Sequence, residues 1–306
     1  MATSLLALAQ QAMPEMNLAT PTSLVNSGIQ DNITVVALFN ALGAELAREF
    51  DWNDLIVEYR FNLSFLIQTG TVTNNSAVIT GLANTAGPPQ LDTTFTATGT
   101  GIPNDTYVKS VDSGTQVTLT QPLTGVVTNS TETVNFSKTK YPFPSDYDRQ
   151  VNRSQWDKTK HWEMLGPESQ QQWQWLKSGF ISTGPRMRWT MQGSNFQVWP
   201  PTPSTEYLGL VYITKNWAAT AAGAGKSLFT LDTDTCVFPD RLMVLGVKKK
   251  YFEVKGFDTT YLTHDYEMHK SIAKAANLGA SNLSFAPTPS QVLISIAQVP
   301  DTGYGS

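Results

Sequence analysis

Three neighbouring residues, Gly225-Lys226-Ser227 within AAGAGKSLFT (221–230), are of the types that end a phosphate-binding loop. In such a loop the lysine meets the β- and γ-phosphates, the hydroxyl holds magnesium, and N–H groups at a helix start cradle the oxygens. The pattern also requires a glycine at position 220, where this chain has Thr220. The residues that follow, LFTLDTDTCVF, alternate at period two and include β-branched Thr and Val, which predicts a strand instead of a helix. The stretch is therefore read as a loop between strands, and neither a nucleotide nor another cofactor is expected.

Other chemistry is sparse. The three histidines are His161, His264 and His269, and the last two are five apart, off the shared face that an i,i+4 ligand pair needs. Cys236 is the only cysteine, so neither an intrachain disulfide nor a cysteine-based zinc site is expected, and no metal is assigned. Asp146, Asp148, Asp157, Glu163 and Glu168 cluster in sequence, interleaved with Arg149, Arg153, Lys158 and Lys160. That mixture reads as a salt-bridged segment. Were it a glycoside-cleaving acid pair, Glu163 and Glu168 would be its first candidates. No Gly-x-Ser-x-Gly elbow is present. No catalytic residue is assigned, and the chain is not expected to be an enzyme.

Two groups of residues suit contact better than catalysis. Trp156, Trp162, Trp173 and Trp175 lie among Gln and charged residues, which fits either a subunit or partner interface or a local core plug. Lys248, Lys249 and Lys250 sit on a predicted helix, as a solvated face or as a weak phosphate contact along a DNA channel.

The elements that must position these residues follow from patterning. Charged residues make up only 15 % of the 306, and Thr, Ser, Asn and Gln fill the gap, a balance typical of β-rich assembly proteins. A net charge of −4 argues against a dedicated nucleic-acid binder but suits a surface that DNA passes. No positive residue precedes the mildly apolar start, and no stretch reaches the roughly 20 apolar residues of a membrane span, so a soluble protein made in a cytoplasm is expected. Helices are predicted over 3–13, stopped by Pro14, and from an Asp31 cap through Val35, Phe39, Leu42, Leu46 and Phe50. Residues 55–67 read as a strand. Residues 69–137, rich in Thr, Gly and Asn, carry short runs such as SAVIT and TQVTLT and predict an inserted all-β domain.

Further along, a helix is predicted over 167–178 with Gly179 as its stop, then a hairpin of Met187, Trp189 and Met191 around Gly193-Ser194-Asn195. EYLGLVYITKNW is apolar on both faces, as in a central strand. Two closing helices run from Phe238-Pro239-Asp240 to Lys255, with Gly256 as stop, and over 259–277. In the second, Leu262, Tyr266, His269, Ala273 and Ala276 form the buried stripe. Residues 281–306 read as an extended arm around the apolar run Val292, Leu293, Ile294 and Ile296, candidate contacts with a partner. The expected fold class is α+β: a helical bundle packed on an antiparallel β-sheet region (1–68 and 138–280), with the inserted all-β domain at 69–137.

YPFPSDYDRQVNRSQWD, LGPESQQQWQWLKSG and PRMRWTMQGSNFQVWPPTPS, in that order, resemble the head-to-tail adaptor (connector) proteins of short-tailed bacteriophages. FPDRLMVLGVKKKYFEVKGFDTTYLTHDYEMHKSIAKAANLG resembles that family's two carboxy-terminal helices. The likeness covers about 29–68 and 138–280 and rests on aromatic and proline landmarks. GTGIPNDTYVKSVDSGTQVTLT instead resembles a small β module of phage structural proteins.

The resemblance implies a structural virion protein at the portal vertex. It would form a dodecameric ring joining the portal protein to the tail nozzle and lining the DNA exit channel, with only transient DNA contact. The insertion would reach a tail fibre or spike, and the carboxy-terminal arm would engage the portal. A virion-associated peptidoglycan hydrolase and a tail or fibre-attachment protein are the alternatives.

Overall fold

The computed structural model describes residues 3–83, 85–180 and 186–278. The fold is mixed α+β. Its contacts divide the chain into two units, Met1–Asn53 with Thr230–Ser306, and Asp54–Phe229.

The first unit is helical, with α1 (Leu5–Glu15) and α2 (Gln30–Glu49) from the amino-terminal part. The Ala7 N–H donates to Ser4 Oγ at 3.3 Å, so that Ser4 caps the helix. Pro14, expected beyond the end of α1, lies inside its last turn. A proline there forfeits one backbone bond, and the turn still closes as Met16 and Leu18 N–H both donate to the Met13 carbonyl. Asp31 is likewise not the cap of α2 but sits in its first turn, where a carboxylate meets the positive helix end. Val35, Phe39, Leu42 and Leu46 are buried as the stripe predicted, whereas Phe50 is only half-buried.

The other long helices of this unit carry the labels α4 (Asp240–Lys255) and α5 (Thr260–Leu278), α3 belonging to the second unit. Helix α4 has six consecutive buried residues, Leu242 to Val247, because it packs against α1, α2 and α5 together. The absent side chain of Gly246 permits the closest approach: a Cβ there would lie 2.5 Å from Leu42 Cδ2 and 2.9 Å from Tyr266 Cε2. Gly256 ends α4 at φ +77°, as its position predicted.

The second unit is mainly β. Residues 55–67 do not form the single strand expected. They split into β1 (Ile56–Asn62) and the start of β2 (Phe65–Val72), because each pairs elsewhere in the chain. At the break, Leu63 N–H donates to the Glu206 carbonyl at 2.8 Å and Ser64 N–H to Tyr141 Oη at 3.0 Å. Beyond it come β3 (Val78–Ile79), β4 (Phe95–Gly99), β5 (Val108–Ser113), β6 (Gln116–Leu119) and β7 (Ser130–Lys138). They form two antiparallel sheets, β2-β7-β4 and β3-β6-β5. Val72, Ile79, Phe95, Val117, Leu119 and Phe136 fill one core drawn from residues 72–136.

The remainder comprises β8 (Lys140–Pro142), β9 (Tyr147–Gln150), β10 (Trp156–Asp157), β11 (Trp162–Glu163) and α3 (Gln170–Trp175), then β12 (Arg188–Gln192) and β13 (Asn195–Trp199). β14 (Tyr207–Thr214), β15 (Ala218–Ala219) and β16 (Gly225–Lys226) follow, and β17 (Thr235–Cys236) lies back in the helical unit. β14 pairs with β1, β9 and β10 and is the central strand its two apolar faces predicted. The hairpin β12-β13 turns at Gly193-Ser194 and extends to β8.

Helix α3 starts at Gln170, three residues later than expected, under a Ser169 cap. Glu168 is held outside it because its N–H bonds the Trp189 carbonyl at 3.0 Å. α3 ends at Trp175, short of the 178 expected, and Gly179 leaves helical geometry at φ +95° in the turn that follows.

The phosphate-loop lookalike is a hairpin between β15 and β16, with Thr220 N–H donating to the Ala224 carbonyl at 2.8 Å. The next helix begins only at Asp240, so no helix start lies behind Lys226. The strand expected after it shrinks to β17. Asp234 Oδ2 accepts from Thr230 and Leu231 N–H at 2.7 and 2.9 Å and curls that stretch into turns.

Candidate functional site

The four tryptophans singled out by sequence do not form one cluster. Trp173 is buried with Leu176 and Trp199 in a small core of its own, while Trp175, two residues on around α3, is 47 % exposed. In the β10-β11 pair Trp156 stands opposite Glu163 and Trp162 opposite Asp157, so the two rings leave on opposite faces. Trp162 is half-buried with the Arg186 guanidinium 5.9 Å from its ring. Trp156 stays on the solvent side of the central sheet, in a row with Gly209 and Arg60.

Gly209 makes room on that face for the stem of Lys158, whose Cε would be 2.5 Å from any Cβ there. Lys158 thereby reaches Glu58, which also pairs with Arg60. Hydrogen bonds from Arg60 and then Lys158 hold the exposed Glu58 carboxyl down at about 2.

The three lysines diverge in the same way. Lys248 pairs with Glu15 at 3.1 Å and Lys250 with Glu45 at 2.7 Å. Lys249 pairs with Glu253 at 3.6 Å and lies 5.3 Å from the Tyr266 ring centre. Successive helix residues are about 100° apart, so a run of three lysines spreads over three partners. Glu163 and Glu168 are ion-paired too, with Arg153 at 3.6 Å and Arg188 at 2.6 Å. His269 sits 3.7 Å from Asp265, and the Cys236 thiol is pushed up to about 12 by burial. Among the described residues no group of three His, Cys, Asp or Glu side chains is placed to hold a metal ion. Val292, Leu293, Ile294 and Ile296 lie outside the described residues.

One buried carboxyl is poorly matched to its surroundings. Asp157 and Glu206 are 3 % and 2 % exposed, and Lys160 Nζ reaches only Glu206, at 2.6 Å. Asp157 Oδ1 accepts from Thr159 and Lys160 N–H, both at 3.0 Å. Burial, and then the Glu206 charge, raise the Asp157 carboxyl above its ordinary range. A carboxyl raised in the folded state stabilises the fold most when protonated, and that contribution is lost as pH rises through its folded titration. Asp157→Asn keeps the Oδ1 acceptor and removes the charge. The variant is expected to melt higher than the parent at pH 7, with the gap closing as pH falls towards the ordinary Asp value of about 4. Melting curves at pH 7 and pH 4 check this; a gap that does not change with pH would contradict it.

No family model matches the sequence, and no curated protein is similar to it. The surfaces themselves therefore carry the functional reading.

The feature missed by sequence is a second apolar face on α5. The predicted stripe is buried only at Tyr266 and Ala273, with Ala276 exposed. Tyr261, Met268 and Ile272, spaced seven and four apart, point outward at 80, 46 and 57 % exposure. Their spacing is as helical as that of the inner stripe and was legible all along. Helix α2 has an outer face as well, formed by Ile29 and Ile33 at 57 and 52 % exposure and by exposed Ala37, Ala41 and Ala44. The α2 face is flat where the α5 face is bulky.

Proposed function

We propose that this chain is a structural virion protein: a head-to-tail adaptor whose copies form a dodecameric ring, joining the portal to the tail nozzle around the DNA exit channel. The observation that carries the reading is the pair of outward apolar faces on α2 and α5. Apolar faces of this kind mark association surfaces. Two unlike faces on one chain favour head-to-tail contact, which closes into a ring when the rotation allows. The resemblance of the aromatic and proline landmarks to the adaptors of short-tailed bacteriophages supports the adaptor identity, and the twelve copies are what that resemblance implies.

In this reading the chain comprises a helical bundle, an antiparallel sheet region and an inserted all-β domain at 69–137 that meets a tail fibre or spike. The core drawn from residues 72–136 supports a separate role for that stretch. A net charge of −4 suits a channel wall that releases DNA, and the paired state of Lys248, Lys249 and Lys250 limits them to weak, transient phosphate contact.

Electron microscopy of the purified protein, alone and mixed with the portal assembly of its virion, tests the reading. Twelvefold rings, free or portal-bound, are expected. A monomer under both conditions would overturn it.

A further inference from the structure

Strand β1 is the last strand on its side of the central sheet. It pairs with β14 along its whole length without a bulge, and among the described residues no strand adjoins its other edge. The bonding of β14 shows which groups that edge carries. Tyr207 and Val211 turn their carbonyls away from β1, accepting from Lys158 and Val151 N–H at 2.8 and 3.0 Å. Asn62 and Glu58 stand opposite Tyr207 and Val211, so their own N–H and C=O groups point outward from β14. The alternation of an antiparallel ladder adds Ile56 and Arg60 to that outward set. Each of these residues is exposed. A regular edge of seven residues without proline is a template for a further strand.

The side chains along this edge favour one occupant, a second copy of β1. Outward-bonding residues must face outward-bonding residues, which leaves few registers that keep most of the strand paired. One sets Glu58 against Glu58 and another Arg60 against Arg60, and both repel. The register centred on Tyr59 instead sets Glu58 of each copy against Arg60 of the other, and Ile56 against Asn62. Every such pair exchanges two backbone bonds. On the opposite face, the same register brings Tyr59 against Tyr59 and Val57 against Phe61. These are half-buried side chains that already pack on the core of the sheet.

We propose that β1 is a self-association edge: two copies join by antiparallel β1–β1 pairing about a twofold axis at Tyr59, extending the central sheet through both. The contact is isologous and uses only the second unit, so it stands apart from the adaptor reading and from the helical faces. One strand from each copy makes a contact smaller than a standard interface, and a weak dimer follows.

Sedimentation of the full chain carrying Ile33→Glu and Ile272→Glu, which place a charge on each helical apolar face, tests the proposal. At up to about 1 mM protein, the range of weak contacts, a monomer–dimer equilibrium is expected. Glu58→Arg or Arg60→Glu, added singly, is expected to weaken that dimer about tenfold or more, because like charges then meet in both symmetry-related pairs. The two reversals together keep the net charge and restore opposite charges in the same register, so the dimer is expected to return. Recovery in the double reversal excludes unfolding as the cause of the loss. A monomer throughout the concentration range, a dimer indifferent to the single reversals, or no recovery in the double reversal would overturn the proposal.

Discussion

Replacing Ile272 by glutamate is expected to leave the helical unit folded and to weaken self-association by about a hundredfold or more. The side chain is 57 % exposed, so the substitution opens no cavity in the chain itself. In an assembled ring it places a carboxylate on the Tyr261-Met268-Ile272 face, where losing a well-packed anchor costs about 2 kcal/mol or more and burying an unpaired charge adds to that. Ile33→Glu is expected to have the same effect through the α2 face.

Mixing the two variants separates the possible geometries. Each keeps one good face, so a head-to-tail contact yields a one-to-one complex that grows no further. If α5 met α5, Ile33→Glu would associate normally and Ile272→Glu would not be rescued. Sedimentation of each variant and of the mixture reads these outcomes. A parent protein that stays monomeric at high concentration removes the premise.

The second large effect concerns Phe136, fully buried among Val72, Phe95, Val117 and Leu119. Phe136→Ala is expected to cost about 3–5 kcal/mol. That is a large share of the roughly 5–15 kcal/mol by which domains are stable. The chain allows this loss to be located, because all eight tryptophans lie outside residues 69–137. If the inserted stretch folds as its own cooperative unit, calorimetry will show one transition moved down while the tryptophan fluorescence midpoint stays in place. A fluorescence midpoint that falls with it would make 69–137 part of one cooperative unit with the strands around it.

Much of the fold was legible because its signals are local. Proline and aspartate at 239–240 and glycine at 256 bracket α4 through the backbone geometry of those residues alone. The two apolar faces of β14 announced a strand with neighbours on both sides. The missing glycine at 220 and the absence of helical periodicity after Ser227 excluded a phosphate loop, and the hairpin found there agrees.

What the sequence by itself determined, then, is the limits of α4, the existence of the other long helices and the strand-rich character of 69–137. The tertiary structure decided which residues meet. Periodicity does not reveal that 55–67 is cut in two, because the cut comes from pairing with β14 on one side and β7 on the other. The four tryptophans part company for a similar reason: a two-residue strand turns neighbouring side chains to opposite faces, and a helix turns residues two apart nearly as far. Lys248 and Lys250 are neutralised by Glu15 and Glu45, more than two hundred residues upstream. An aromatic cleft joins 143–147 to 191–194, two stretches that neither contain nor predict it separately. Capping and periodicity are written residue by residue, whereas pairing, burial and enclosure depend on what the rest of the chain brings alongside.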